Sequence, residues 1–192
     1  LGYLLSLVKL EGISFGGMIS GNINASALQS SLPMVEARIN AQDFSFCKGV
    51  MGDADINAHW NSDSARLEFT ADINETLQDT TRVNGMYSIK DDELMLDIEA
   101  NNTDISFLND LTSSFIDNVD GHANGHLLLG GKLNNLDMEG VLLADANLRL
   151  VPTNTYYTIS DSIRFKPGKI QLQNITLLDR SKNKAILNGV VN

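Results

Sequence analysis

The sequence predicts a mainly β protein: an elongated, curled antiparallel sheet, a trough with an apolar interior, interrupted by one short amphipathic helix near 104–118. Three observations predict it. Apolar and polar residues alternate with a period of two over almost the whole chain, short polar segments separate the alternating runs, and a single segment switches to a spacing of three to four.

The first clear run is "VEARINAQ". Val35, Ala37, Ile39 and Ala41 alternate there with Glu36, Arg38, Asn40 and Gln42, so one face of a strand meets a core and the other meets water. In "GDADINAHW" the residues Ala54, Ile56, Ala58 and Trp60 share a face. In "ARLEFTADI" the residues Ala65, Leu67, Phe69, Ala71 and Ile73 do the same, and "NSDS" between the two runs predicts a hairpin turn. The series continues through Val83, Tyr87 and Ile89, turns at "KDDE", and resumes with Leu94, Leu96, Ile98 and Ala100. After the helical segment it returns with Met138, Leu142, Ala144, Ala146, Leu148 and Leu150.

The helix is expected in "DISFLNDLTSSFIDNV", where Ile105, Leu108, Leu111 and Phe115 stand three to four apart and Asp104 is placed to cap them. Glycine-spaced blocks at "GGMISGNINASAL" and "DGHANGHLLLGGKLNNLDMEG" interrupt strand patterns and imply bends, bulges or close backbone approach. No short period repeats. The 192 residues read as one segment, 1–192, of an elongated β-groove, with a weak subdivision into 1–103 and 119–192 around the helix.

Composition bounds the function. An apolar content of 43% with 20% charged residues is that of a folded chain. A formal charge of −10 argues against a surface built to neutralise phosphates, so nucleic acid is not an expected partner. The opening run "LGYLLSLVKL" is about half the length of a membrane-spanning helix. The single Cys47 forms no intrachain disulfide and fits reducing and oxidising compartments alike.

Catalytic templates fit poorly. His122 and His126 share a strand face, but no third ligand is spaced for zinc, and His59 stands apart. "DNVDG" places Val119 where a calcium loop needs an oxygen ligand. Cys47 has no histidine nearby in sequence, and "GGMISG" lacks the lysine of a phosphate loop. Neither a catalytic residue, a metal ligand nor a cofactor is therefore assigned. Asp and Glu lie mostly on the polar parity, as a solvated face would place them, and a glycosidase-like pair across strands stays an alternative.

The last third carries a resemblance. A glycine-spaced strand with Gly125, Leu127, Leu129 and Gly131 precedes Asn154 and Tyr157. Then come Asp161, Ile163 and Phe165, next Ile175, Leu177 and Asp179, and finally Ala185, Leu187 and Gly189. In order and spacing this resembles the C-terminal region of the TamB family, the inner-membrane subunit of the translocation and assembly module, within the AsmA-like group. The earlier blocks resemble that family's upstream repeats more loosely.

The resemblance implies a non-enzymatic, periplasmic β-trough belonging to an inner-membrane-anchored protein. It implies phospholipid acyl chains as cargo between the two membranes, outer-membrane protein assembly, or both, and an outer-membrane barrel of TamA or BamA type as partner. Periodicity supplies an independent reason, since strands with a continuous apolar parity must hide that face and one short helix cannot cover so many. The candidate groove-lining residues are Ile56, Ala58, Trp60, Leu67, Phe69, Ile73, Leu94, Leu96, Ile98, Leu142, Ala144 and Leu148. A closed β-sandwich or barrel that binds a partner is the alternative. A polysaccharide-active enzyme on a β scaffold is a further one, against which the 6% aromatic content weighs.

Overall fold

The computed structural model describes residues 15–26, 34–46, 49–74, 76, 79–133 and 135–191. The run Leu1 to Leu10 and Cys47 lie outside them.

The described residues form one antiparallel sheet in which strand order follows chain order. The strands are β1 (Phe15–Ser26), β2 (Met34–Phe46), β3 (Gly49–Asn61), β4 (Arg66–Asn74), β5 (Thr80–Ser88) and β6 (Glu93–Asp104). After a helical turn come β7 (Ile116–Lys132), β8 (Asn135–Leu150), β9 (Thr155–Lys166), β10 (Lys169–Asp179) and β11 (Lys184–Val191). β1 and β11 do not pair with each other, so the sheet is unclosed. It curls nevertheless: β3 and β6, which are not neighbours in the ladder, come into contact. At that end the Phe46 and Phe107 rings meet edge to face at 5.3 Å, and the Gly49 backbone abuts Phe107.

Short polar side chains make the hairpins. The Asn61 side-chain oxygen accepts the amides of Asp63 and Ser64, at 3.0 and 3.2 Å, and so folds the turn between β3 and β4. The Asp179 carboxylate does the same for the amides of Ser181 and Asn183 between β10 and β11, both at 2.8 Å. Two residues expected on strands belong instead to turns. Ala65 has a φ of 52° beside β4, and Ile89, just past β5, is 65% exposed because the chain has already turned.

Curling has a local cause. Asp43, Asn102, Asn118 and Asn174 all adopt positive φ, and each stands where its strand gains one residue on its partner: β2 on β3, β6 on β7, β7 on β8, and β10 on β11. Such bulges bend the strand and increase its twist, and Asn and Asp tolerate the left-handed conformation better than other side-chain-bearing residues. Three of the displaced amides find side-chain acceptors on the next strand. Asp43 donates to Asp53 at 3.1 Å, Asn102 to Asn124 at 2.8 Å and Asn174 to Asn188 at 2.8 Å. At Asp43, Asn102 and Asn174 the bulge also switches the inward parity, from Ala41 to Phe44, from Ala100 to Thr103 and from Leu172 to Ile175, so the same face continues along the strand.

The expected helix over 104–118 is corrected. Only α1, Leu108–Thr112, is helical; Asp104 ends β6, and Ile116 to Asn118 already belong to β7. Asp104 accepts the Ser106 amide at 2.6 Å and so shapes a turn, while Phe107, with no capping side chain, precedes the helix. The Asn109 side chain binds both the amide and the carbonyl of Val119, at 2.7 and 2.9 Å, holding α1 to the β7 bulge. Ile105 is buried beside Val119, whereas Phe115 is exposed. The helical spacing thus arises from a strand end, one short turn and a strand start; the Leu111 side chain lies outside the described residues.

Candidate apolar trough

Residues directly opposed in an antiparallel ladder share a face. By that rule the twelve candidate lining residues all stand on one side of the sheet. Ile56 opposes Ile39 and Ala71, Ala58 opposes Ala37 and Phe69, and Trp60 opposes Leu67. Leu67 opposes Tyr87, Phe69 opposes Gly85, and Ile73 opposes Thr81. Leu94, Leu96 and Ile98 oppose Gly131, Leu129 and Leu127. Leu142 opposes Gly125 and Ile163, Ala144 opposes Ala123, and Leu148 opposes Tyr157.

All twelve are buried or half-buried, and this is the concave side. Parity separates near neighbours sharply: Leu143 is 48% exposed, between the half-buried Leu142 and Ala144 at 4%. The same face also includes Ile39, Val83, Tyr87, Leu127, Leu129, Ile159, Ile163, Ile175 and Leu177, which alternation alone could have added to the set.

The two ends differ. Where β3 meets β6, Ala41, Ala54 and Ile73 form a buried cluster with Phe44 and Met51 against it. Further along, Val119, Ala123, Ala146, Ile159, Ile175 and Leu177 form a second cluster, against which Phe107 and Leu108 pack from the α1 segment. Between the clusters the buried hydroxyls of Thr81 and Thr103 bond to each other at 2.6 Å. At the opposite end Trp60, Leu67, Tyr87 and Leu94 are only half-buried. Burial, then the hydrogen bond to Asp92 at 2.8 Å, push the Tyr87 phenol pKa up. On β1 the same face is open, with Ile19 and Ile23 exposed. Phe69 lies over Gly85, where a side chain would collide with its ring, so aromatic surface lines the floor.

Two carboxylates break the apolar parity, Asp179, which opposes Tyr157 at the end of β10, and Asp161. Asp161 opposes Ala144. Its two oxygens accept the amides of Ser162, at 2.8 Å, and Thr176, at 3.1 Å, the latter freed where β10 bulges against β9. These backbone hydrogen bonds hold its pKa below the ordinary aspartate value.

The histidines occupy the other face. His126 Nε2 lies 2.6 Å from Asp97, and His59 Nε2 lies 3.3 Å from Glu68, both pairs joining adjacent strands. His122 shares the face of His126 and opposes Asp104 and Asp145. Among the described residues no three His, Cys, Asp or Glu side chains are grouped to hold a metal ion, and no helix is long and apolar enough to cross a membrane.

What this arrangement can do is hold apolar matter along a continuous surface by dispersion and water release, with no directional chemistry. Comparison with protein-family models, curated proteins and solved structures yields no match.

Proposed function

We propose that this chain is a non-enzymatic segment of a periplasmic, inner-membrane-anchored protein of TamB type, whose trough carries phospholipid acyl chains between the inner and outer membranes. An outer-membrane barrel of TamA or BamA type is the partner that the resemblance supplies. The observation that carries the reading is the continuity of one apolar face across all the strands of an unclosed sheet, open at Ile19 and Ile23 on β1. Acyl chains fit such a face because they need no hydrogen bonds and slide along it at little cost.

A second use, cradling strands of unfolded barrel proteins, is favoured by β1 itself. Among the described residues no strand pairs with its outer edge, and it contains no charged residue or proline, the devices that usually protect an edge.

A charge inside the trough tests the reading. Leu142→Asp strands a carboxylate against the apolar wall at a cost of several kcal/mol, so in the full-length protein it impairs outer-membrane integrity. Leu143→Asp, on the exposed parity, is mild. The two are compared at equal protein abundance; equal effects, or loss of function on His122→Ala or His126→Ala with Leu142→Asp harmless, would overturn the proposal.

A further inference from the structure

The whole-chain charge of −10 conceals a reversal in its last three strands. Residues 155–191 hold six Lys or Arg against two acidic residues, Asp161 and Asp179, whereas the whole chain holds 14 Lys or Arg against 24 Asp or Glu. Both aspartates are committed to local hydrogen bonds, Asp161 with the amides of Ser162 and Thr176, and Asp179 with Ser181 and Asn183. No ion pair among the described residues includes any of the six cations.

Register gathers this charge on the convex face. Arg164 opposes Val141, Lys166 opposes Lys169, and Lys184 opposes Leu178, all on the side away from the trough. Arg180 and Lys182 belong to the turn between β10 and β11. The Arg180 guanidinium lies 4.2 Å from the centre of the Tyr156 ring. Together with Asn147, Thr158 and Leu178 they line a cleft of about 260 Å³. Tyr156 accepts from Asn118 at 3.3 Å and Asn147 accepts from Thr158 at 2.9 Å, leaving the phenol proton and the Asn147 amide hydrogens to donate.

Apolar side chains are interleaved with the cations. Leu178, Ile186 and Val190 are exposed on this same convex parity. Cations alone would suit any polyanion. Exposed aliphatic side chains between them suit a surface with phosphates outside and hydrocarbon beneath, because electrostatic attraction and shallow apolar insertion then act together.

We propose that the convex face of β9, β10 and β11 docks on an anionic lipid bilayer surface. Arg180, Lys182 and Lys184 contact headgroup phosphates, with the cleft beside Tyr156 seating one of them, while Ile186 and Val190 enter the interface. This does not rest on the trough reading, since it uses the opposite face of the sheet.

The test is co-flotation of the 192-residue chain with phosphatidylcholine vesicles, with and without phosphatidylglycerol. Binding is expected to the anionic vesicles only, to fall with added salt, and to weaken at least roughly tenfold in R180Q/K182Q/K184Q. I186S/V190S weakens it severalfold without changing its salt dependence. Should either variant misfold by thermal melting, R164Q/K166Q/K169Q provides the same charge loss at the other end of the face. No binding to anionic vesicles, equal binding to neutral ones, or full retention by the charge variant would overturn the proposal. So would equal affinity for double-stranded DNA, which offers phosphates without an apolar phase.

Discussion

Inside the curl the hydroxyls of Thr81 on β5 and Thr103 on β6 share a hydrogen bond of 2.6 Å, both side chains buried. Thr81 opposes Ile73 and Thr103 opposes Ala123, so the pair is a polar stitch between apolar neighbours, just past the β6 bulge. Replacing one partner leaves a buried hydroxyl unsatisfied, and replacing both does not. Thr81→Val and Thr103→Val each cost about 1–2 kcal/mol, whereas the double variant costs clearly less than their sum. Urea denaturation of the four chains measures it; strict additivity would mean that the bond contributes nothing.

The β6 bulge itself is held by the amide of Asn102 and the side-chain oxygen of Asn124. Asn124→Ala removes the acceptor and costs about 1–2 kcal/mol. Asn124→Asp keeps an oxygen in place and costs less than half as much. Thermal unfolding distinguishes them, and equal losses would assign the effect to packing.

Asp161 gives the fold a sensitivity to acid. Backbone hydrogen bonds lower its pKa in the folded state, so unfolding must take up protons as the pH falls. Its contribution is therefore present above the ordinary aspartate pKa and is lost as pH falls through the lowered, folded value. Carbon-detected titration should place the Asp161 midpoint below that of an unperturbed aspartate, and Asp161→Asn should flatten the acid limb of stability. A midpoint at or above the ordinary value would contradict the hydrogen-bond assignment.

Parity made much of the trough legible. Ile56, Ala58 and Trp60 share a face with Leu67, Phe69 and Ile73 because a period of two and a short turn leave one register that buries both sets. The segment 104–118 was less legible, since Ile105 and Leu108 keep helical spacing although they belong to a strand end and a five-residue helix. Asn109 decides the matter through Val119, a tertiary contact that propensity does not encode. The bulges did leave a signal: apolar parity switches at Asp43, Asn102 and Asn174, each an Asn or Asp between the two parities. The meeting of β3 with β6 leaves none, because it follows from twist summed over several strands. Local charge was legible too, but a whole-chain charge of −10 averages away the basic face of β9 to β11.

The concave face, and not the convex one, is the surface proposed to touch apolar cargo. Site-specific photocrosslinking in cells tests it most directly, with the crosslinker in turn at Leu67, Leu96, Glu68 and Asp97. Leu67 faces Trp60 and Tyr87 and Leu96 faces Gly85 and Leu129, whereas Glu68 faces His59 and Met86 and Asp97 faces Asn84 and Leu128 on the other side. Lipid adducts are expected at Leu67 and Leu96 and none at Glu68 and Asp97. Equal labelling of all four positions, or adducts confined to Glu68 and Asp97, would contradict the proposal.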